Sequence, residues 1–151
     1  MDLTTLLERG GAWHNIPGAS PTAFIREAFA TFRLPVGLDH EAVLAATLER
    51  EASSSTALGG GTAFPHPGKP PCATTEDALV ALVYPRFPVA WKAADGRPVL
   101  AAFFILSAER QEHLLALSRL AKLCRDDTFK AALRDEAPLR DILRLAAENA
   151  G

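Results

Sequence analysis

The stretch Leu48–Lys69, LEREASSSTALGGGTAFPHPGK, differs from everything around it and decides how the rest of the chain is read. It opens on a helix end bearing Arg50 and Glu51, passes through Ser53 to Thr56, and then meets three consecutive glycines, Gly59, Gly60 and Gly61. A regular helix cannot continue through this run. Glycine loses too much backbone freedom there, and the prolines that follow lack the N–H and clash with the preceding turn. Thr62 to Phe64 predicts a short strand, which delivers His66 between Pro65 and Pro67. Each proline fixes its own φ, and Pro67 also biases His66 towards an extended conformation. The glycines permit positive φ, and their N–H groups can face an anion. The stretch therefore predicts a histidine on a stiff, irregular backbone near anion-binding amides.

That combination suits phosphoryl transfer through imidazole. A neutral ring nitrogen is a competent nucleophile near pH 7, and the phosphorylated product carries negative charge that needs donors. Arg50 can supply a planar fork of N–H groups to such a charge. Other motifs fail on inspection. A Walker A loop would need glycine where Ala63 stands, and Pro70 follows Lys69 where Ser or Thr is required. A dinucleotide fingerprint starting at Gly59 and Gly61 would need a third glycine where Phe64 stands. No H-E-x-x-H or C-x-x-C occurs, so the sequence offers no zinc site and no metal is expected.

Outward from this stretch, the chain mixes helical and strand patterns. Upstream, Ala12 to Ile16 predicts an edge strand after the Gly10-Gly11 break. Ser20 or Thr22 can cap a helix with Pro21 early in it, and Phe24, Ile25, Ala28, Phe29 and Phe32 mark its buried face. Pro35 and Gly37 stop it. Asp39 caps the next helix, which has Glu41 in its first turn and runs through Val43, Leu44, Thr47 and Leu48 to about Ala52. Downstream, Ala78 to Tyr84 predicts a strand, and Val89 to Lys92 a further short one before a turn at Asp95-Gly96. Val99 to Leu106 is continuously apolar and predicts a central strand covered on both faces. Three helices follow, over Glu109 to Cys124, Asp127 to Arg134 and Leu139 to Asn149. The order predicts an α/β fold, a sandwich with helices covering the sheet, as a single domain over residues 1–151.

Composition narrows the function classes. The chain has 151 residues, 48% hydrophobic and 23% charged, enough to bury a core and too apolar for a disordered segment. Its 16 basic residues form no block and the net charge is -2, which argues against a nucleic-acid partner. No apolar run reaches membrane-spanning length, and Met1 to Thr4 does not begin a secretory leader. Cys72 and Cys124 stand alone and read as reduced thiols, so the expected location is cytoplasmic.

The central stretch resembles the active-site region of the fructose, mannitol and nitrogen-regulatory class of phosphotransferase-system enzyme IIA domains. Their pattern runs roughly R-E-x-x-x-S-T-G-[IL]-G-x-G-x-A-[ILF]-P-H. Arg50, Glu51, Ser55, Thr56, Leu58, Gly59, Gly61, Ala63, Phe64, Pro65 and His66 fall on it without a gap. Ala57 departs from it, standing where the family usually has glycine. Gln111 to Leu123, QEHLLALSRLAKL, looks like the family's helix that begins with a histidine, here His113.

The resemblance implies a three-layer α/β/α sandwich on a small mixed sheet. It further implies that His66 accepts a phosphoryl group from HPr or its nitrogen-branch relative, with Arg50 steadying that group and His113 beside it. Ser55, Thr56, Gly59 and Gly61 would form the phosphate loop, although Ser55 and Thr56 could equally shape the turn. The phosphoryl group would pass to a IIB domain, or the phosphorylation state would control a regulated protein. No cofactor is implied. The sequence alone does not separate a sugar-transport role from a regulatory one, and we lean to the latter. A binding module that keeps the fold without being phosphorylated is the alternative. Glu51, His14 and His40 are expected to be structural, Trp13 and Trp91 to be core or edge aromatics, and some apolar surface is expected around His66.

Overall fold

The computed structural model describes residues 2–149. Helix α1 (Leu3–Gly10) leads into strand β1 (Ala12–Ile16), followed by α2 (Pro21–Thr31) and α3 (His40–Ser53). The glycine-rich stretch forms β2 (Ala57–Gly59) and β3 (Thr62–Ala63). Then come β4 (Leu79–Pro85), β5 (Ala101–Leu106), α4 (Arg110–Leu123), α5 (Asp127–Arg134) and α6 (Leu139–Glu148). The five strands make one mixed sheet in the order β1-β4-β5-β3-β2. β1 runs parallel to β4 and β3 parallel to β5, while β4–β5 and β2–β3 are antiparallel.

Side-chain alternation along the two central strands divides the core into two layers. Leu79, Ala81, Val83, Ala102, Phe104 and Leu106 face α2 and α3, packing with Phe24, Ile25, Phe29, Val43 and Leu44. Val80, Leu82, Tyr84, Ala101, Phe103 and Ile105 face the other way, towards α1 and the three C-terminal helices, meeting Leu7, Leu120, Phe129 and Ile142. Every residue of β4 and β5 is buried, as the unbroken apolar runs predicted. The result is the expected α/β/α sandwich.

The helix starts follow side-chain chemistry. Ser20 accepts from the Ala23 N–H, with Pro21 in the first turn, and Asp39 accepts from the Ala42 N–H. Several details differ from the sequence reading, among them helix α1, which the apolar stretch from Leu3 did not predict, and β5, which starts at Ala101 and not at Val99. β2 was not foreseen, since only the outgoing strand of the glycine hairpin carried a signal. β3 ends one residue early because Pro65 has no N–H to continue the ladder. The strand expected over Val89 to Lys92 is a single bridge, Val89 to Val99, because Pro88 and Pro98 stop it growing on either side.

Candidate active site

β3 lies parallel to β5, with Thr62 opposite Ala101 and Ala63 opposite Ala102. The chain therefore leaves β3 alongside the end of β5, where the Ile105 N–H donates to the Pro65 carbonyl at 3.1 Å. His66 follows immediately. β5 itself leads into α4, whose first turns carry His113 back over the same sheet end. The two imidazoles, 47 residues apart in sequence, lie against each other with ring centroids 4.3 Å apart and planes tilted by 46°.

One hydrogen bond sets the chemistry of His66. Its Nδ1 lies 2.8 Å from the Phe64 carbonyl oxygen. A carbonyl can only accept, so Nδ1 carries the proton and Nε2 keeps the lone pair. Phe64 is itself buried and stacks on Phe103, so the carbonyl that orients the ring is anchored in the core.

Electrostatics hold both rings neutral. Burial, opposed by the Phe64 hydrogen bond, lowers the pKa of His66, and the Arg50 guanidinium lowers it further while Glu51 acts against it. His113 falls to about 4, chiefly through burial and then through the charges of His66, Arg50 and Arg110. Near pH 7, His66 is thus an unprotonated nucleophile beside an unprotonated second ring, within the field of Arg50. Arg50 sits in the last turn of α3 and donates from Nη1 to the Ser54 carbonyl at 2.6 Å.

The sequence-selected residues separate here. His66, His113 and Arg50 act on one another at one end of the sheet. Gly59 and Gly61 do not join them. The glycine turn precedes β3, beside the start of β5, where the Leu100 and Ala101 N–H groups donate to the Gly61 carbonyl. It therefore lies at the opposite end of the strand from His66. All three glycines take positive φ, which is what this tight turn between β2 and β3 demands. An amide of the turn does hold an anion, but that anion is the carboxylate of Asp95, which accepts from the Gly60 N–H at 2.8 Å. The Gly60 amide is thus taken up within the fold.

Thr56 also has an internal role. Its hydroxyl donates to Glu51 at 2.6 Å and its N–H to the same carboxylate at 2.8 Å. Of the two readings open for Thr56, the geometry gives the turn-shaping one. Ser55 accepts from the Ala57 N–H at 3.1 Å, again a turn contact. Ala57 lies in β2 and is not strained. Among the described residues only Asn15 and Glu136 have positive φ without being glycine, so the departure from glycine at position 57 needs no compensation.

Sequence reasoning did not find the contact of Trp91, whose Nε1 donates to Glu51 at 3.0 Å across 40 residues of chain. It also missed Glu112, whose carboxylate accepts from the Ala108 N–H just ahead of α4. A glutamate in the first turn of a helix is a recognisable capping signal, so the second could have been read. On α4, Leu114 follows His113 and is an exposed apolar residue, whereas the exposed Leu115 faces the other way, towards Leu3 and Leu6 of α1. Among the described residues no cluster of three or more His, Cys, Asp or Glu could hold a metal ion, and no helix is long and apolar enough to cross a membrane.

A sandwich of this topology carrying a paired, neutral histidine at the sheet end defines a class, and comparison with known proteins gives it a family. Residues 25–148 match the family described as "Phosphoenolpyruvate-dependent sugar phosphotransferase system, EIIA 2", and the chain belongs to that family. It is similar to a nitrogen regulatory protein of Bradyrhizobium diazoefficiens, 37% identical over 113 residues, covering 74% of this chain and 72% of that one. The crystal structure of the nitrogen regulatory protein IIA-Ntr from Neisseria meningitidis matches with a TM-score of 0.81 at 26% identity, covering 95% and 97% of the two chains. The fold is shared also with the Escherichia coli mannitol IIA in its complex with phosphorylated IIB, with a TM-score of 0.70 at 19% identity over 93% and 96% of the chains.

Proposed function

We propose that this chain acts as one phosphoryl-carrying domain, with Nε2 of His66 accepting the group from a phosphohistidine on an HPr-like donor. The observation that carries the reading is the 2.8 Å hydrogen bond from Nδ1–H to the Phe64 carbonyl, which leaves Nε2 as the free nucleophile. In the transfer, the lone pair on Nε2 forms the new N–P bond as the donor's N–P bond breaks and its electron pair returns to the donor ring. The positive charge that develops on the His66 ring is shared with Phe64 through the Nδ1–H bond. Arg50 supplies positive field for the incoming phosphoryl oxygens, and His113, neutral at this pH, can turn an N–H towards one of them. Such catalysis is positioning and electrostatics, with no cofactor called for.

The exposed Leu114, next to His113 on α4, gives a donor something apolar to dock against. Two similarities favour a regulatory role over a sugar-specific one, namely the Bradyrhizobium relative and the Neisseria structure, both named for nitrogen regulation. A IIB-type acceptor is the sugar-branch counterpart, by analogy with the mannitol IIA complex. The place of action is the cytoplasm.

The test is transfer from phosphoenolpyruvate through purified enzyme I and HPr, or its nitrogen-branch counterpart, to the wild type and to His66→Ala. The expected result is an acid-labile, base-stable phosphate on the wild type alone. Failure of both donors to label the wild type overturns the reading.

A further inference from the structure

Glu51 lies in the last turn of α3 beside Arg50, yet its side chain takes no part in an ion pair among the described residues. Its two oxygens instead receive three donors. Oε1 accepts the Thr56 hydroxyl at 2.6 Å, and Oε2 accepts the Thr56 N–H at 2.8 Å and the Trp91 Nε1–H at 3.0 Å. Trp91 and Thr56 are both buried, so this is an internal clamp rather than a surface contact. The chain of contacts continues from there. The Thr56 carbonyl accepts the Phe64 N–H at 3.1 Å, and the Phe64 carbonyl accepts the Nδ1–H of His66 at 2.8 Å.

We propose that Glu51 is a positioning residue for His66, holding Thr56 so that Thr56 registers Phe64 and the Phe64 carbonyl fixes the ring with Nε2 free. The proposal rests on the phosphocarrier reading for its consequence, though not for its geometry. β3 has only two residues, with Pro65 two positions beyond its end, so the ladder alone gives this segment little hold on its register. A carboxylate receiving two donors from Thr56 sets the position of the β2 end against α3, and Trp91 prevents the carboxylate from swinging to solvent. The same negative charge also reaches His66, where it opposes the effect of Arg50.

Two conservative variants separate placement from charge. Glu51→Gln loses the charge but keeps the reach. Its oxygen can accept the two N–H groups while its amide donates to the Thr56 hydroxyl oxygen. Glu51→Asp keeps the charge but is one methylene too short to hold Thr56 and Trp91 together. The readouts are the ring-nitrogen NMR shifts of His66, which report the tautomer, and the rate of phosphorylation by HPr as a function of HPr concentration.

Positioning predicts that Glu51→Asp admits the Nε2–H tautomer and slows transfer at saturating HPr by roughly ten- to a hundredfold, the scale of a small misplacement of a reacting group. The HPr concentration giving half the maximal rate should stay the same, because the docking surface is untouched. Glu51→Gln should keep the Nδ1–H tautomer and lose only about threefold. The reverse ranking, equal losses in both variants, or wild-type tautomer and rate in Glu51→Asp would each overturn the proposal. If the wild type itself takes no phosphate, the carrier reading fails, and the tautomer measurement still decides the role of Glu51.

Discussion

Acidification should destabilise this protein, and one residue supplies a separable part of the loss. His113 titrates at about 4 in the folded chain, against an ordinary value of 6.5, because it is buried against His66 within the field of Arg50 and Arg110. A histidine whose folded pKa lies below its unfolded one binds fewer protons when native. Its contribution to stability is therefore complete above the unfolded pKa and is lost as the pH falls towards the folded one. The window runs from about pH 6.5 down to about pH 4. Full linkage over that shift sets an upper bound of about 2 kcal/mol on the loss at pH 5 relative to pH 8, and solvent screening of the half-exposed ring reduces it to roughly 1 kcal/mol. Urea unfolding of the wild type and of His113→Asn at both pH values isolates the term. The variant's drop in stability should be smaller than the wild type's by about that amount. His66, whose pKa is also lowered, adds a residual dependence of the same sign. Equal pH dependence in the two proteins, or an NMR titration of His113 near 6.5, would refute the electrostatic account of the paired rings.

Three further outcomes test the assignment of roles. Arg50→Ala should slow phosphorylation at saturating HPr by on the order of tenfold or more, and Arg50→Lys should restore only part of it, since a point charge lacks the guanidinium fork. In Gly59→Ala the new Cβ sits at φ 93° and 3.1 Å from an Asp95 carboxylate oxygen. It should cost about 1 kcal/mol in urea unfolding while leaving the rate of His66 labelling unchanged, because the turn is at the far end of β3. Ala57→Gly should destabilise by about 0.5–1 kcal/mol, since position 57 is a strand position without positive φ. Any stabilisation there would mean that alanine is strained.

Most of the architecture was legible in the linear pattern. Unbroken apolar runs marked β4 and β5, caps at Ser20 and Asp39 marked α2 and α3, and α5 spans the very residues that its periodicity indicated. The elements that escaped are set by pairing with a neighbouring segment and not by a pattern of their own. β2 exists because it pairs back onto β3 across the glycine turn, and the three residues from Ala57 to Gly59 carry no strand pattern of their own. The Val89 segment looked like a strand until its flanking prolines met a neighbour that could offer only one bridge.

The site divides in the same way. The sequence by itself determined which histidine stands on an irregular, proline-braced backbone with an arginine at the helix end before it, because residue type and local stiffness are properties of neighbouring residues; the second histidine was marked only by the resemblance to the enzyme IIA helix. The sequence also determined that three glycines must turn the chain. Only the tertiary structure decided where that turn points. The parallel pairing of β3 with β5 sends His66 to one end of the sheet and leaves the glycines at the other, their amide facing Asp95 instead of a phosphoryl group. The same pairing brings His113 to 4.3 Å from His66 and sets the Phe64 carbonyl against Nδ1, choosing the free nitrogen. Register between strands depends on contacts between residues far apart in the chain, and that register turns the Phe64 carbonyl, only two residues from His66, towards Nδ1; a local sequence pattern carries no record of either.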